Sequence, residues 1–389
     1  MEFEFSKEEK EIIRDVRRFI EKEATPELLN ESRELEYIYG GPEGRKFIKK
    51  FAANGWLTPS WPTEYGGLGS SEMVTYIIRN EMAYAEVLIY FAGAHMAGPS
   101  ILRYGSEEIK KKFLLPLAKG EIEFALGYSE PGAGSDLMSL KMLAEDKGDH
   151  FLVNGQKTFN THAHVADYHW LPVRTDPDAP GHKGISILIV DLKSTGINIR
   201  PMLTMSGSRT NEVYYDNVRV PKENLVGEKN AGFKYIMAAL DFERMFSYGH
   251  YLKFFEKLVQ YSKETFVDGR PLSKDPVIRQ KLAQIEMEFD VIKLLYFQLA
   301  HLLDSGKIPS YQSSIEKTFF SELAQRLAST AMEITGMCGQ VKRGGKRAVL
   351  EGMADLYYRW TIVESIYGGT SEIQRNIIAQ RGLGLPRGA

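Results

Sequence analysis

Two charged residues of opposite sign stand side by side in this chain, Glu243 and Arg244 within Leu240-Asp241-Phe242-Glu243-Arg244. Counted as a helix from Phe233 at about 100° per residue, Ile236, Met237, Leu240, Ser247, Tyr248, Tyr251, Phe254, Phe255 and Leu258 form one stripe. Arg244 falls inside that stripe and Glu243 at its edge, so both charges are expected to turn toward the core. Adjacent side chains on a helix diverge too far to neutralise each other, so each needs a separate partner or a polar cavity. A desolvated carboxylate has a raised pKa and can serve as a general base near neutrality. An ion pair with another helix or another subunit explains the same letters.

Two glycine-rich stretches could also do chemistry. In SEPGAGSD (129–136) small residues let backbone N–H groups approach a phosphate or a flat ring, and Ser129 and Ser135 add hydroxyls. No Gly-Lys-Ser/Thr follows and no GxGxxG opens a βαβ unit, so neither a Walker loop nor a dinucleotide fingerprint is present; a plain turn is the local alternative. In ESIYGGTSEIQRN (364–376), Gly368 and Gly369 end one helix and Thr370 or Ser371 can cap the next. The open N–H groups there suit an anion, and a bare helix–helix turn has the same composition. THAHVADYH (161–169) offers His162, His164 and His169 with Asp167, and on a strand His162 and His164 would share a face. That ligand set is short for zinc, and we expect no metal. KRGGKR (342–347) reads as a solvated basic loop, with a nucleotide phosphate as its other possible contact.

The elements that must position these residues change type twice along the chain. Ser6 and Glu9 form a capping box ahead of Ile12, Ile13, Val16, Phe19 and Ile20, so 6–30 is expected to be helical until Gly40, Gly41 and Pro42 break the pattern. Further helical stretches follow to Trp56 and over about 71–89 and 92–118, with WPTEYGGLG (61–69) as a loop. From about 121 the pattern becomes β: Asn154-Gly155 lies between short β-rich runs and is a hairpin signal, and HWLPVRT, GISILIVDL, INIRPM and NEVYYDNVRVP follow. From Phe233 helical periodicity returns over 233–265, 276–304, 310–336, 347–366 and 371–381, with Asp275 as N-cap and Pro276 at the first helical position of the second. The predicted class is α+β, mainly α: a helical domain over 1–120, a barrel-like β domain over 121–232 and a helical bundle over 233–389.

Composition narrows the function classes. The 389 residues are 43% apolar and 26% charged, with 49 Lys+Arg against 51 Asp+Glu, so neither disorder nor a polyanionic partner is expected. Nucleic acid is thereby excluded as the main ligand. Cys338 stands alone, which suggests a reducing compartment. The start MEFEFSKEEKEIIRDVRRF is charged and no run of about 18 apolar residues occurs, so a cytoplasmic protein with no membrane partner is expected.

Taken in order and spacing, WPTEYGGLG, GYSEPGAGSD, VNGQKTFNTHA, NEVYYDNVRVP, LDFER and IYGGTSEIQRNIIAQR resemble the acyl-CoA dehydrogenase family over nearly the whole chain. The resemblance implies the family's helical, β and helical domains, and FAD bound without a Rossmann domain. It implies that a glutamate removes the α-proton of an acyl-CoA while the β-hydrogen leaves as hydride to flavin N5, giving a trans-2-enoyl-CoA. An electron-transfer flavoprotein would reoxidise the flavin, and the chain would form a homo-oligomer, a tetramer or dimer. The enolate charge would be met by the FAD ribityl 2′-hydroxyl and by a backbone N–H that here belongs to Gly368.

By the same resemblance, Ser129 matches the hydroxyl on the flavin pyrimidine edge, and Leu126 and Tyr128 match flanking flavin contacts. Gly134 and Ser135 match the turn serving the flavin phosphate and the CoA thioester arm. Phe159 stands where many members have tryptophan, and Thr161 matches the threonine bonded to N5. Thr370 and Glu372 match a cofactor-contacting turn, while Leu240, Arg244 and Tyr367 match substrate contacts. Many members carry the base in an IYEGT motif, but this chain reads Ile366-Tyr367-Gly368-Gly369-Thr370. A subgroup including the isovaleryl and long-chain enzymes places it instead in an LDxER motif, which assigns Glu243 as the base. The chain departs from the family's diphosphate-binding RxxFG pattern, where KETFVDGRPLSKDP (263–276) leaves Arg270 as the substitute. Glu333 and Gly336-Met337 stand where the usual Gln and Gly-Gly of the ADP-binding loop would be. Alternative functions on this fold are an acyl-CoA oxidase, a flavin monooxygenase, an enoyl-CoA reductase or a non-catalytic subunit of a hetero-oligomer.

Overall fold

The computed structural model describes residues 4–35, 41–87, 91–243 and 247–386; the side chains at 34, 35, 238 and 240–243 are outside the description. The first third holds α1 (Lys7–Glu23), α2 (Pro26–Leu35), α3 (Pro42–Ala53), α4 (Glu72–Tyr84), α5 (Gly98–Tyr104) and α6 (Glu107–Ala118). Then come β1 (Phe124–Leu126), β2 (Leu143–Asp146), β3 (His150–Lys157), β4 (Tyr168–Arg174), β5 (Ile185–Asp191), β6 (Ile197–Leu203), β7 (Arg209–Pro221) and β8 (Leu225–Val226). The last part holds α7 (Gly232–Glu243), α8 (Gly249–Glu264), a small hairpin of β9 (Phe266–Val267) and β10 (Arg270–Pro271), α9 (Pro276–Asp304), α10 (Tyr311–Thr335), α11 (Met353–Glu364) and α12 (Ser371–Ile377). The order of helical, β and helical segments is the one the sequence predicts.

The chain divides into two compact units. One comprises residues 23–71 and 88–243 and contains an eight-stranded sheet in the order β6-β7-β3-β2-β4-β5-β8, with β1 beside β4. GISILIVDL is apolar without alternation because β5 is covered on both faces. Ile185, Ile187 and Ile189 pack with Trp170, Phe113, Tyr235 and Ile236, while Leu188 and Val190 pack with Phe151, Val153, Leu171 and Val213. The second unit comprises 1–22, 72–87 and 244–389 and is helical. There Leu282, Ile285, Phe289, Ile292, Tyr296 and Leu299 recur at alternating spacings of three and four along α9 and meet Phe254, Phe255 and Leu258 of α8 and Phe320, Leu323 and Leu327 of α10.

Several local signals act as read. Ser6 N donates to Glu9 Oε2 at 2.7 Å and Glu9 N to Ser6 Oγ at 3.1 Å, closing the capping box. Asp275 Oδ1 accepts from Val277 N at 2.8 Å and Ile278 N at 3.1 Å, with Pro276 opening α9.

Others are corrected. The predicted helix over 6–30 breaks at 24–25, because Pro26 disfavours helical backbone before it and starts α2. The 92–118 stretch separates into a π-turn at Gly93–Ala97, then α5 and α6, with Ser106 capping the latter through Ile109 N at 3.3 Å. Residues 350–352 form a separate 3-10 turn ahead of α11. Asn154-Gly155 is not a hairpin turn. The pair lies inside β3, where the register against β7 shifts between Val153 and Gly155, and Asn217 N donates to Asn154 Oδ1 at 2.8 Å. The extra residue is on β7, where Asp216 and Asn217 face Asn154 and Asn217 takes φ +51°, so Asn-Gly lies opposite a bulge, with Gly155 at φ +143°. The continuous helix over 233–265 is two helices: Ser247 and Tyr248 lie outside both. A Cβ on Gly249 would lie 2.3 Å from the Asn80 carbonyl oxygen, so α8 begins where two backbones cross closely. Apolar periodicity alone runs straight through such a break, and the phase that turned Glu243 and Arg244 inward does not carry across it.

Candidate active site

In the sheet-containing unit, two motifs far apart in sequence are stitched together. Thr158 N donates to the Ser129 carbonyl at 2.9 Å. Asn160 Nδ2 donates to the Leu126 carbonyl at 3.1 Å and the Thr158 carbonyl at 3.0 Å. Asn160 N reaches the Asn211 carbonyl at 2.9 Å, and Asn211 Nδ2 returns to the Asn160 carbonyl at 2.8 Å. These bonds bring Leu126, Ser129, Phe159 and Thr161 to one place. Phe159 is 63% exposed at φ +57°, a strained conformation for a bulky residue that the flanking bonds impose. Thr161 Oγ1 lies 3.3 Å from Thr210 Oγ1.

The 129–136 stretch is a turn closed by Glu130 N to the Ala133 carbonyl at 2.9 Å and Ala133 N to the Glu130 carbonyl at 3.1 Å. A side chain at Gly132 or Gly134 would meet nothing within 4 Å, so the turn faces open space. Beneath it lies a buried ion pair that sequence reasoning missed. Lys157 Nζ donates to Glu130 Oε1 at 2.9 Å and to the Tyr128 carbonyl at 3.2 Å. The Glu130 carboxylate also accepts from Lys141 N at 2.7 Å and Met142 N at 3.0 Å. Burial pushes the Lys157 ammonium down to about 8. A signal was present: Lys157 shares the period-two phase of the buried Phe151 and Val153, so it occupies a core position.

The histidines do not gather. His162 and His164 lie in an irregular turn rather than on a strand, and only His169 belongs to β4. His169 Nδ1 lies 2.5 Å from Tyr215 Oη, and burial lowers the ring to about 3, so it is neutral. Among the described residues no group of His, Cys, Asp and Glu is placed to hold a metal. Glu123, just before β1, is fully enclosed. Its Oε1 accepts from Gly93 N at 2.6 Å and Phe124 N at 2.8 Å, and desolvation drives its carboxyl up to about 8.

In the helical unit, α11 ends at Glu364 and the chain turns through Tyr367, Gly368 at φ +63° and Gly369 at φ +91°. Both angles favour glycine. Thr370, rather than Ser371, caps α12 by accepting from Ile373 N at 3.3 Å. Gln374 Nε2 donates to the Gly368 carbonyl at 2.8 Å and to the Gly369 carbonyl at 3.2 Å. The Gly368 N–H has no protein acceptor among the described residues. Backbone N–H bonding at the helix start, then the Thr370 hydroxyl, holds the Glu372 carboxyl below its usual range. Arg270 is exposed on the β9–β10 hairpin. Leu240 and Glu243 belong to α7, but their side chains, and Arg244 entirely, lie outside the described residues.

The acyl-CoA dehydrogenase N-terminal, middle and C-terminal domain models match residues 6–121, 125–218 and 230–383. The chain belongs to the acyl-CoA dehydrogenase family. It is 35% identical to acyl-CoA dehydrogenase FadE26 of Mycobacterium tuberculosis, covering 100% of this chain and 99% of that protein. Among solved structures it matches the Tcur3481-Tcur3483 steroid ACAD with a TM-score of 0.92 and 34% identity over 100% of both chains. It matches the ChsE4-ChsE5 complex from Mycobacterium tuberculosis with a TM-score of 0.91 and 35% identity, again over 100% of both chains.

As an acyl-CoA dehydrogenase family member the chain is an FAD-dependent oxidoreductase acting on acyl-CoA. The residues present fit a flavin: an exposed Phe159 ring, hydroxyls at Ser129 and Thr161 brought beside it, and a glycine turn with room at Gly132 and Gly134. No helix among the described residues is long and apolar enough to cross a membrane.

Proposed function

We propose that this chain dehydrogenates the Cα–Cβ bond of an acyl-CoA, with Glu243 removing the α-proton to give a trans-2-enoyl-CoA. The observation that carries the reading is the turn at 366–370. It offers no carboxylate, and it presents at Gly368 an N–H without a protein acceptor among the described residues, so it is built to donate to a carbonyl and not to take a proton. The base therefore belongs to another element, and Glu243 at the end of α7 is the carboxylate of the LDFER motif. Bound FAD supplies the two-electron acceptor, receiving the β-hydrogen as hydride at N5.

The remaining roles fall to this chain's own groups. An α-proton of a thioester is a weak acid, and Gly368 N–H stabilises the charge that gathers on the carbonyl oxygen as Glu243 takes the proton. Leu240, Arg244 and Tyr367 hold the acyl and pantetheine parts. Leu126, Tyr128, Ser129, Phe159 and Thr161 seat the flavin ring, and Gly134 and Ser135 serve its phosphate and the thioester arm. Thr370, Glu372 and Arg270 reach the rest of the cofactor.

Likeness to the steroid ACAD supports an acyl group attached to a bulky ring system, and 32% identity to a caffeyl-CoA reductase-Etf complex subunit supports an electron-transfer flavoprotein as the electron partner. We further infer assembly with a second, non-identical chain of the family. The pairing of two named chains in both similar structures supports this, as does this chain's altered ADP-binding loop, where Glu333 is held by Lys281 and Met337 is 80% exposed. Exposed apolar residues recur at helical spacing as Met287, Val291 and Leu294 on α9, and as Tyr358, Ile362 and Ile366 along and just beyond α11, faces suited to subunit contact. A native mass equal to a multiple of this chain alone, with FAD bound, would instead establish the homo-oligomer.

The test of the chemistry is anaerobic mixing of the FAD-loaded protein with a panel of acyl-CoA thioesters. Glu243→Gln is expected to abolish flavin bleaching while FAD stays bound. Bleaching at the wild-type rate would remove Glu243 from the mechanism, and peroxide formation in air matching the turnover would replace the dehydrogenase reading with an oxidase.

A further inference from the structure

The carboxylate of Glu364 takes no part in the chemistry above, yet it is 3% exposed and lies four residues before Gly368. One oxygen accepts from Tyr251 Oη at 2.8 Å and from Trp360 Nε1 at 3.0 Å. The other accepts from the hydroxyl of Tyr367. The main-chain carbonyl of Glu364 accepts from Lys317 Nζ, and that ammonium lies 4.7 Å from the centroid of the Tyr367 ring. Lys317 itself is 1% exposed. Groups from α8, α10 and α11 thus converge on the residue that begins the turn.

Such a convergence has a cost. A carboxylate and an ammonium in a helical core give up hydration, and that loss is tolerable only when nearly every polar atom is bonded. A leucine at 364 would fill the space without it. The network is therefore best explained by what it holds, and it holds Tyr367. Gly368 and Gly369 have no side chains and sit at positive φ, so nothing of their own fixes them. On the far side Gln374 binds their carbonyls, and Ser371 N donates to the Ser365 carbonyl at 3.0 Å. On the near side Ile366 N and Tyr367 N donate to the Val363 carbonyl at 2.9 and 3.1 Å, and the Tyr367 side chain is gripped at its hydroxyl by Glu364 and at its face by Lys317.

We propose that Glu364 and Lys317 are positioning residues: through Tyr367 they clamp the 366–370 turn so that the Gly368 N–H keeps a fixed direction toward the thioester carbonyl. This rests on the proposed role of Gly368 as carbonyl donor. A donor displaced by about 1 Å loses on the order of a hundredfold in rate, so the clamp acts on turnover and not on binding.

The experiment compares FAD-loaded wild type, Glu364→Gln, Tyr367→Phe and the double variant. Hydrogen exchange by mass spectrometry on the peptide over 364–374 reads the turn directly, without any substrate. Limiting rates of anaerobic flavin bleaching by butyryl-, octanoyl- and cyclohexylpropionyl-CoA, with their half-saturating concentrations, read its consequence. Each single variant is expected to exchange at least about tenfold faster in the turn and to bleach about tenfold to a hundredfold more slowly. Half-saturation should stay within about twofold in Glu364→Gln, FAD should remain bound in every variant, and the double variant should be no slower than the slower single. Unchanged exchange in both singles overturns the clamp, as does a bleaching loss that merely follows lost FAD or a lowered Tm. If wild type bleaches with none of the thioesters, or Glu243→Gln bleaches normally, the proposed chemistry is what fails, and the exchange result still decides whether Glu364 holds the turn.

Discussion

The buried pair of Lys157 and Glu130 beneath the 129–134 glycine turn allows an energetic prediction with an internal order. Removing one partner of a buried ion pair costs about 3–5 kcal/mol, because the other charge is left without compensation. Lys157 differs from Glu130 in what its removal relieves. Its ammonium is pushed from 10.5 to about 8 by burial, a penalty of roughly 3 kcal/mol on the charged form that outweighs its attraction to Glu130. Lys157→Met removes that penalty along with the pair, and the stranded carboxylate keeps two N–H donors, from Lys141 and Met142. The net loss is expected at about 1–2 kcal/mol. Glu130→Gln leaves the ammonium in place without its counter-charge and should cost about 3–5 kcal/mol. The double variant buries no charge and leaves one N–H poorly paired, so it should fall within about 1–2 kcal/mol of wild type. The two substitutions are then coupled by about 3 kcal/mol. Because the protein has two units, global unfolding is a poor gauge. Protection of the β3 amides against hydrogen exchange, measured on the FAD-loaded protein, isolates the local term. Additive single effects, or Lys157→Met more damaging than Glu130→Gln, would refute the reasoning.

Glu123 carries a pH prediction. Its carboxyl is raised by burial from 4.5 to about 8, so between those values the folded protein holds a proton that the unfolded chain has released, and stability falls as pH rises through that window by up to about 5 kcal/mol. Glu123→Gln keeps an acceptor for Gly93 N or Phe124 N and should flatten this slope; urea midpoints at pH 5 and pH 8 that change as in wild type would contradict it. Asp275→Ala removes the acceptor for Val277 N and Ile278 N at the start of α9 and should cost about 1 kcal/mol, read as a lowered Tm of the helical unit with FAD affinity unchanged.

Where the sequence announced structure, the physics was local. Asp275-Pro276 names a helix start because a side-chain acceptor and a fixed φ act within one turn, and α9 begins there. GISILIVDL names a strand, and its unbroken apolar run Ile187-Leu188-Ile189-Val190 lies in β5 where both faces are covered. The site motifs were also legible as types: glycines at 368 and 369 do end a helix at positive φ, and Thr370 does cap the next. What failed involved a choice between two uses of the same letters. Asn-Gly serves a hairpin or a strand facing a bulge, and the partner strand, here through the bulged Asn217, selects between them. An apolar stripe reads on past residue 247 whether or not the helix does, and α8 starts at a close backbone crossing at Gly249 that periodicity does not reveal.

A second class of residue was invisible for a different reason. Glu130, Lys157, Lys317 and Glu364 are charges in segments that also contain apolar residues, and composition reads them as solvated faces. Each instead lies under or beside a glycine turn, and the pairing follows from what such turns lack. A turn that must expose N–H groups to a ligand uses glycines, and glycines bring no side chain to pack, so the turn's rigidity has to come from outside it. An apolar neighbour can fill space beside a bare backbone but cannot hold its carbonyls or a phenol hydroxyl in one direction; a bonded polar group can. At 129–134 the fixed points are the Tyr128 carbonyl and the Glu130 carboxylate, and at 367–369 they are the Tyr367 hydroxyl and the two glycine carbonyls. In both turns a buried charge below the glycines supplies the fixed point that the glycines themselves lack.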